Sequence, residues 1–155
     1  MKFCQFILPS NEPAIGISCN NDESIANANP IFERMKENGE TESHFTFPTN
    51  LKTLIEAGED ALLASRELLK KISTAEGRNI FADQIYSFED SRLLAPVSNP
   101  QKFFAIAINR HGGWDSAIKP KKPNVTYFIK LSSCIVGRKD IIKIPDVGQV
   151  GPEVE

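Results

Sequence analysis

The sequence has few of the residues that most directly indicate a chemistry. Its 155 residues include three cysteines, two histidines and one tryptophan. Cys4, Cys19 and Cys134 are odd in number and lack metal-site spacing, so we expect reduced thiols in an intracellular protein. No apolar run reaches the ~18 residues of a membrane span, so we expect no membrane partner. The first 14 residues lack a convincing signal-peptide core and are poor in arginine, which favours the cytoplasm.

Strong charge of one sign is also missing. The formal net charge is -2, with 41% hydrophobic and 25% charged residues. This composition excludes a disordered chain and gives no indication of a nucleic-acid partner. The charge is unevenly distributed, because residues 1–95 carry about -6 and residues 96–155 about +4. The C-terminal part therefore suits an anionic ligand better.

The N-terminal part predicts a hairpin and then helices. KFCQFIL and AIGISC are short apolar runs separated by the turn-forming LPSNEP, which favours two paired strands. Residues 20–44 are polar and predict a surface loop with one helical turn at IFERMKENG. A helix is expected after FPTN, capped by Thr49 or Asn50 and interrupted at Gly58.

The second half of this helical region carries an apolar stripe at helical spacing. Its expected members are Leu62, Leu63, Arg66, Leu69 and Ile72. A helix packed on its own domain is the favoured interpretation of the stripe, and a groove for a partner is the alternative.

Beyond Ile85 the pattern changes to short apolar strands broken by proline and glycine, so we place a domain boundary near residue 90. The predicted domains are residues 1–90 and 91–155. The run KFFAIAIN favours a strand buried on both faces, and RHGGWD follows it as a turn rich in reactive side chains. The loop KPKKPN is better explained as solvated than as a phosphate contact.

Three stretches resemble the fumarylacetoacetate hydrolase family. LLAPVSNPQKFFAIAIN is similar to the family's entry into a buried strand that ends in asparagine, here Asn109. KKPNVTYFIKLSSCIVGRKDIIKIP is similar to its next segment, and GQVGPEVE to its E-x-E metal motif. The resemblance covers nearly all of the chain and is strongest from Arg92 to Glu155.

The resemblance implies an α+β, β-rich fold. A small N-terminal β/α domain would be followed by the first part of the family's mixed β-sandwich or roll. Family members continue beyond the E-x-E, where their third metal carboxylate lies. We therefore expect a truncated chain whose catalytic domain is incomplete and which is inactive alone.

The terminal carboxylates have two interpretations. An E-x-E at a frayed end only adds solubilising charge, whereas on a strand Glu153 and Glu155 point to one face and repel each other unless a cation lies between them. The resemblance favours the metal site, and all-oxygen ligands suit Mg²⁺ or Mn²⁺ better than Ca²⁺.

The resemblance also implies roles around the buried strand. The family places a base after the asparagine, and here the usual N-Y-x-x-H becomes NRHGG, so His111 stands two positions early. We take His111 as the catalytic base with Asp115 as its partner, or else as an exposed loop histidine. Arg110 and Lys130 are candidate substrate-binding residues, and Lys130 has support of the fold as its alternative.

Three functions remain open. The first is metal-dependent hydrolysis of C–C bonds in small acidic β-diketones such as acylpyruvates. The second keeps the metal but only moves a proton or decarboxylates, as in an oxaloacetate keto–enol tautomerase. The third is a non-catalytic interaction module. The family implies a homodimer of the full-length protein, a small anionic keto acid as substrate, and mitochondria as the alternative compartment. Ser132 and Ser133 are expected to be structural, His44 to lie in a surface loop, and Cys134 to be buried.

Overall fold

The structure is a computed structural model that describes residues 1–108, 126–143, 146 and 148. The chain forms two compact units. The first comprises Met1–Val97 together with Gly137–Asp140, and the second comprises Ser98–Val136 and Ile141–Glu155. The predicted α+β class is confirmed, while the division of the chain at residue 90 stays a prediction.

The first unit contains a five-stranded antiparallel sheet. Its strands are β1 (Phe3–Ile7), β2 (Pro13–Cys19), β3 (Ser24–Asn27), β4 (Ile85–Ser87) and β5 (Arg92–Leu93), in the order β4-β3-β2-β1-β5. The predicted hairpin is confirmed, since β1 pairs with β2 in a register that places Phe3 opposite Ile17. The edge strands β4 and β5 come from the far end of the unit's sequence, after all of its helices.

Four helices lie between β3 and β4 in the sequence. They are α1 (Ala28–Glu37), α2 (Leu51–Glu56), α3 (Gly58–Ile72) and α4 (Ala75–Ile80), and a 3₁₀ turn, Ala82–Gln84, follows them. The predicted cap is Asn50, whose side chain accepts a hydrogen bond of 2.9 Å from the Thr53 amide. Gly58 ends the first segment as expected, because its φ of +61° suits glycine better than any other residue.

One face of the sheet packs against the helices. Alternation along β2 places Ile15, Ile17 and Cys19 on this face, where they join the apolar side chains of α1, α2 and α3. Gln5 of β1 is also buried there, and its Oε1 accepts a hydrogen bond of 3.3 Å from the Leu51 amide at the start of α2. The sheet and the helices therefore share one core.

The opposite face of the sheet carries a smaller apolar cluster. Its buried members are Phe6, Ala14 and Ile25, and partly buried side chains from β4, β5 and the flanking turns pack against them. Gly16 lies among these residues, and a Cβ there would overlap the Ile25 side chain. The absence of a side chain at Gly16 leaves room on this face for Ile25 of β3 and for Cys4 and Phe6 of β1.

The predicted apolar stripe of α3 is wrong for most of its members. Leu62 and Leu63 are exposed, and the buried side chains of α3 are Ala61, Ala64, Ser65, Leu68 and Ile72. Small residues face inward because α3 packs on both α1 and β2, and short side chains allow a close approach. The fully buried Ser65 hydroxyl donates to the Ala61 carbonyl at 2.6 Å, which satisfies it within the helix.

The described part of the second unit is a two-stranded antiparallel ribbon. Strand β6 (Phe104–Ile108) pairs with β7 (Thr126–Ile129), and the register shifts at a bulge between Ile106 and Ile108. A 3₁₀ turn at Ser132–Cys134 follows β7.

Candidate functional site

The last residue of β6 and the first residue of β7 flank the segment of the sequence that is richest in reactive side chains. Ile108 and Thr126 pair directly across the ribbon, so residues 109–125 leave and re-enter it at the same end. This segment contains Arg110, His111 and Asp115. All three residues lie outside the described part of the chain, and their roles stay predictions.

Lys130 is the one predicted site residue that the structure describes. It directly follows β7, and its backbone amide donates a hydrogen bond of 3.0 Å to the Phe103 carbonyl. The ammonium group lies 5.4 Å from the centre of the Phe128 ring, a cation–π contact. Phe128 and Lys130 are two residues apart and therefore share one face of the extended chain. Both contacts help to order the strand end, which supports the structural alternative for Lys130 without opposing the substrate-binding one.

Lys130 and Thr126 lie at opposite ends of β7. Four residues of extended strand span roughly 13 Å, at about 3.3 Å per residue. The backbone at Lys130 is therefore well separated from the end of the ribbon where residues 109–125 depart.

One face of the ribbon is apolar and open to solvent. Alternation places Phe104 and Ile106 on the same face as Tyr127 and Ile129, and all four are between 50% and 73% exposed. Phe104 and Tyr127 contact each other edge to face, with ring centres 5.5 Å apart. The prediction of a strand buried on both faces is thus wrong for β6, because the only described element that pairs with it is a second short strand.

The metal prediction concerns residues that the structure does not describe. Glu153 and Glu155 both lie in the undescribed stretch 149–155. Within the described residues, no group of three or more His, Cys, Asp or Glu side chains is arranged to hold a metal ion. The proposed Mg²⁺ or Mn²⁺ site therefore rests on the sequence pattern alone.

The three cysteines lie in different environments. Burial raises the pKa of the Cys4 thiol to about 11 and also raises the pKa of Cys19. Both are consequently protonated, unreactive thiols at neutral pH. Cys134 is exposed on the 3₁₀ turn, so the prediction that it is buried is wrong. Ser132 and Ser133 are exposed on the same turn.

A shallow groove in the first unit was not anticipated from the sequence. It lies between residues 42–46 and α3 and is lined by Glu42, Ser43, His44, Phe45, Thr46, Asp60, Leu63 and Glu67. His44 is an exposed loop residue, as predicted. Among the described residues that line the groove, three are carboxylates and none is lysine or arginine. Residues 42–46 have no regular secondary structure, so no sequence periodicity could have indicated what they pack against.

Comparison with known proteins gives one informative similarity. No family model matches the sequence. The chain is similar to a protein of Xenopus laevis named oxaloacetate tautomerase fahd2, mitochondrial, with 31% identity over 106 residues. The aligned region covers 67% of this chain and 30% of the relative. This chain therefore spans less than a third of the length of the curated relative that it matches.

The described part of the chain has no helix that is both long and apolar enough to cross a membrane.

Proposed function

We propose that this chain belongs to the fumarylacetoacetate hydrolase family and that the native protein catalyses keto–enol tautomerisation of oxaloacetate or a closely related keto acid. The observation that carries the proposal is the 31% identity to the Xenopus laevis protein named oxaloacetate tautomerase fahd2, mitochondrial. The three stretches that resemble the family's motifs support the same family. The α+β architecture of the first unit is compatible with it.

Tautomerisation requires fewer catalytic groups from the altered NRHGG segment than hydrolysis does. The reaction removes one proton from the enol oxygen and delivers one to the carbon of the C=C bond that does not bear this oxygen, so it needs a proton-transfer group but no water nucleophile. His111, with Asp115 as its carboxylate partner, is the candidate for this transfer. The displacement of His111 within NRHGG therefore counts more heavily against water activation than against proton movement.

The substrate of such an enzyme is a small dianion. Arg110 and Lys130 are the candidate counter-charges for its carboxylates, and they belong to the part of the chain that carries about +4. The guanidinium of Arg110 would bind a carboxylate through two parallel hydrogen bonds, whereas Lys130 would act as a point charge.

Glu153 and Glu155 are the proposed ligands of a divalent cation. Two carboxylates two residues apart supply hard oxygen donors of the kind that Mg²⁺ and Mn²⁺ prefer. A bound cation of this type supplies polarisation of the substrate carbonyl and stabilises the enolate charge.

The test is an assay of the native protein, isolated from its source, beside the 155-residue chain. Loss of enol absorbance of oxaloacetate reports tautomerisation, and chromatography of an acylpyruvate incubation reports C–C cleavage. Rapid ketonisation without cleavage products supports the proposal. Cleavage of the acylpyruvate would replace it with the hydrolase alternative, and inactivity of the native protein in both assays would favour the non-catalytic one.

Matched variants assign the residues. Glu153→Gln and Glu155→Gln should each reduce the rate at least tenfold and weaken Mg²⁺ binding measured by calorimetry, because each removes an anionic ligand. Glu56→Gln, on the exposed side of α2 in an ion pair with Lys52, is the control for loss of one negative charge. Equal effects of all three substitutions would contradict the metal assignment.

We also propose that the protein forms a homodimer. The exposed apolar face of the ribbon supports an association of some kind, because four large apolar side chains lie together there. Light scattering of the native protein gives the oligomeric state directly. A monomer at micromolar concentration would contradict the dimer, and co-purification with a longer homologue would favour the interaction-module alternative.

We propose mitochondria as the compartment to test first, since the relative is named as mitochondrial. Cell fractionation with cytoplasmic and mitochondrial marker proteins distinguishes this from the cytoplasmic location that the sequence favours.

A further inference from the structure

The turn Gly137–Asp140 belongs to the first unit and packs against residues that lie about 50 positions earlier in the sequence. Arg138 lies against the turn of residues 88–91, which connects β4 to β5. Its guanidinium stacks 4.8 Å from the centre of the Phe88 ring and donates a hydrogen bond of 3.2 Å to the Phe88 carbonyl. The same group forms an ion pair of 2.5 Å with Glu89. One arginine thus contacts a ring, a backbone carbonyl and a carboxylate of a single turn.

Two further ion pairs surround this contact. Lys139 lies 3.0 Å from the Glu89 carboxylate and also donates to the Glu89 backbone carbonyl. Arg92 of β5 lies 3.4 Å from Asp140. Asp140 in turn accepts a hydrogen bond of 2.8 Å from the Gly137 amide, which closes the turn. Charges of both signs therefore alternate across the contact.

The backbone of the turn approaches β5 closely. A Cβ at Gly137 would overlap the Leu93 carbonyl oxygen and would lie 3.1 Å from the Leu94 Cα. Lys139 has a φ of +68°, a left-handed conformation that is uncommon for lysine and is unfavourable by about 1–2 kcal/mol. The contacts of the docked turn offset this backbone preference.

The charged contacts are partly solvated. The side chains of Glu89, Arg92 and Lys139 are 70%, 61% and 53% exposed. Those of Arg138 and Asp140 are 35% and 28% exposed, so they too are in contact with water. Exposed ion pairs are individually weak, at about 0.2–1 kcal/mol, and are screened when the Debye length falls from about 10 Å at 0.1 M salt to about 3 Å at 1 M. The sheet and the α1–α3 core, by contrast, depend on buried apolar side chains that salt does not screen.

We infer that Gly137–Asp140 is an electrostatic latch, which docks on the β4–β5 turn at low ionic strength and opens at high ionic strength while the rest of the first unit stays folded. The opening is a local one, of the kind that occurs where ion pairs and few buried apolar contacts hold a segment. The proposal concerns the stability of this segment and is independent of the enzymatic activity.

Limited trypsin digestion of the full chain tests the latch, because Arg138 and Lys139 are themselves cleavage positions. The cleavage rate at these two positions is followed by mass spectrometry at about 0.05 M and about 1 M NaCl. A free peptide with the sequence of residues 134–143 corrects for the effect of salt on trypsin. After this correction we expect cleavage to rise about fivefold at high salt, with no change in the urea midpoint of the chain measured by circular dichroism.

Two substitutions test separately how charge and packing contribute to the docking of the turn. Glu89→Gln removes the carboxylate shared by Arg138 and Lys139, so it should give faster cleavage at low salt and a smaller salt dependence, with only the Arg92–Asp140 pair left to be screened. Asp90→Asn is the matched control, since the described residues show no ion pair for this neighbouring carboxylate. Gly137→Ala should open the turn at every salt concentration, because its Cβ cannot be accommodated.

Three outcomes would overturn the latch. Fast cleavage of the wild-type chain at low salt would mean that the turn is not docked. Slow cleavage that salt and Glu89→Gln leave unchanged would mean that charge does not hold it. A salt-induced fall in the urea midpoint parallel to the rise in cleavage would mean that the turn unfolds only with the whole unit.

Discussion

Phe32 in the first unit and Phe104 in the second are both phenylalanines, but the first is buried and the second is exposed. Phe32 of α1 is fully buried, and its ring lies edge to face with that of Phe47, with the ring centres 5.3 Å apart. Phe104 is 50% exposed on a two-stranded ribbon. In the first unit, helices cover one face of a five-stranded sheet. Two short strands provide no such cover, and an isolated hairpin is marginally stable in water. The same type of residue therefore belongs to a core in the first unit and is exposed in the described part of the second.

The largest expected effect on stability comes from truncation of the buried phenylalanine. Phe32→Ala should reduce the free energy of unfolding by about 3–5 kcal/mol, because it removes a buried ring and leaves a cavity. Phe104→Ala should change it by less than about 1 kcal/mol. Urea denaturation followed by circular dichroism measures both. Comparable losses for the two variants would mean that Phe104 is buried in solution by something that the described residues do not include.

A second pair of variants compares a buried leucine with an exposed leucine on one helix of the first unit. Leu68→Ala should destabilise the protein by about 2–4 kcal/mol, since Leu68 is fully buried. Leu62→Ala, on the same helix but 37% exposed, should have an effect below about 0.5 kcal/mol. The two variants delete the same atoms from α3, so the difference between their urea midpoints reports burial alone. A larger loss of stability in Leu62→Ala than in Leu68→Ala would support the leucine stripe predicted from the sequence.

A smaller effect is expected from a single hydrogen bond. Asn50→Ala removes the cap of α2 and should cost about 1 kcal/mol of stability. Ser132→Ala, in the exposed 3₁₀ turn of the second unit where no side chain caps the described residues, serves as the control and should have little effect. Thermal denaturation of both variants resolves the difference. Equal shifts in Tm would show that the Asn50 cap does not form in solution.

The smallest expected effect is a change in acid sensitivity. The Arg34 guanidinium, followed by the Gln84 amide, lowers the pKa of the Asp83 carboxyl below its ordinary value. A lowered folded-state pKa contributes stability that is present above the unfolded pKa of about 3.9 and is lost as the pH falls through the folded pKa.

Asp83→Asn should therefore reduce the fall in urea midpoint between about pH 6 and about pH 2. Asp146→Asn, an exposed carboxylate of the second unit, controls for loss of charge. An unchanged acid dependence in Asp83→Asn would show that the Arg34 pair contributes nothing measurable to stability.

Local signals in the sequence predicted some local features of the fold and missed others, since residues 20–44, predicted to be a surface loop with one helical turn, contain β3 and the ten-residue α1. The β1–β2 hairpin, the Asn50 cap and the break at Gly58 all follow from residues within a few positions of each other. The buried face of α3 did not, because the leucines mark an apolar stripe whereas the packing required the small side chains of Ala61 and Ala64. The pairing of β5 with β1 and the docking of Arg138 on Phe88 join distant parts of the sequence, and no periodicity encodes such contacts.

The candidate site was less accessible to the same reasoning. Asn109 and Lys130 were placed by motif, and motifs give the order of residues along the chain but not their distance in space. The structure shows that Lys130 belongs to the end of β7 opposite to the end where residues 109–125 depart.

The strand order β4-β3-β2-β1-β5 has a consequence for biosynthesis. During translation the β1–β2–β3 meander can form as soon as Asn27 leaves the ribosomal exit tunnel, since its pairings join neighbouring strands. Both edges of that meander then stay unpaired until the helices have been made, because β4 and β5 follow them in the chain. Unpaired strand edges promote aggregation. The nascent chain therefore passes through a period of vulnerability that ends only with the emergence of Leu93, and this is the interval in which a ribosome-bound chaperone would be most useful.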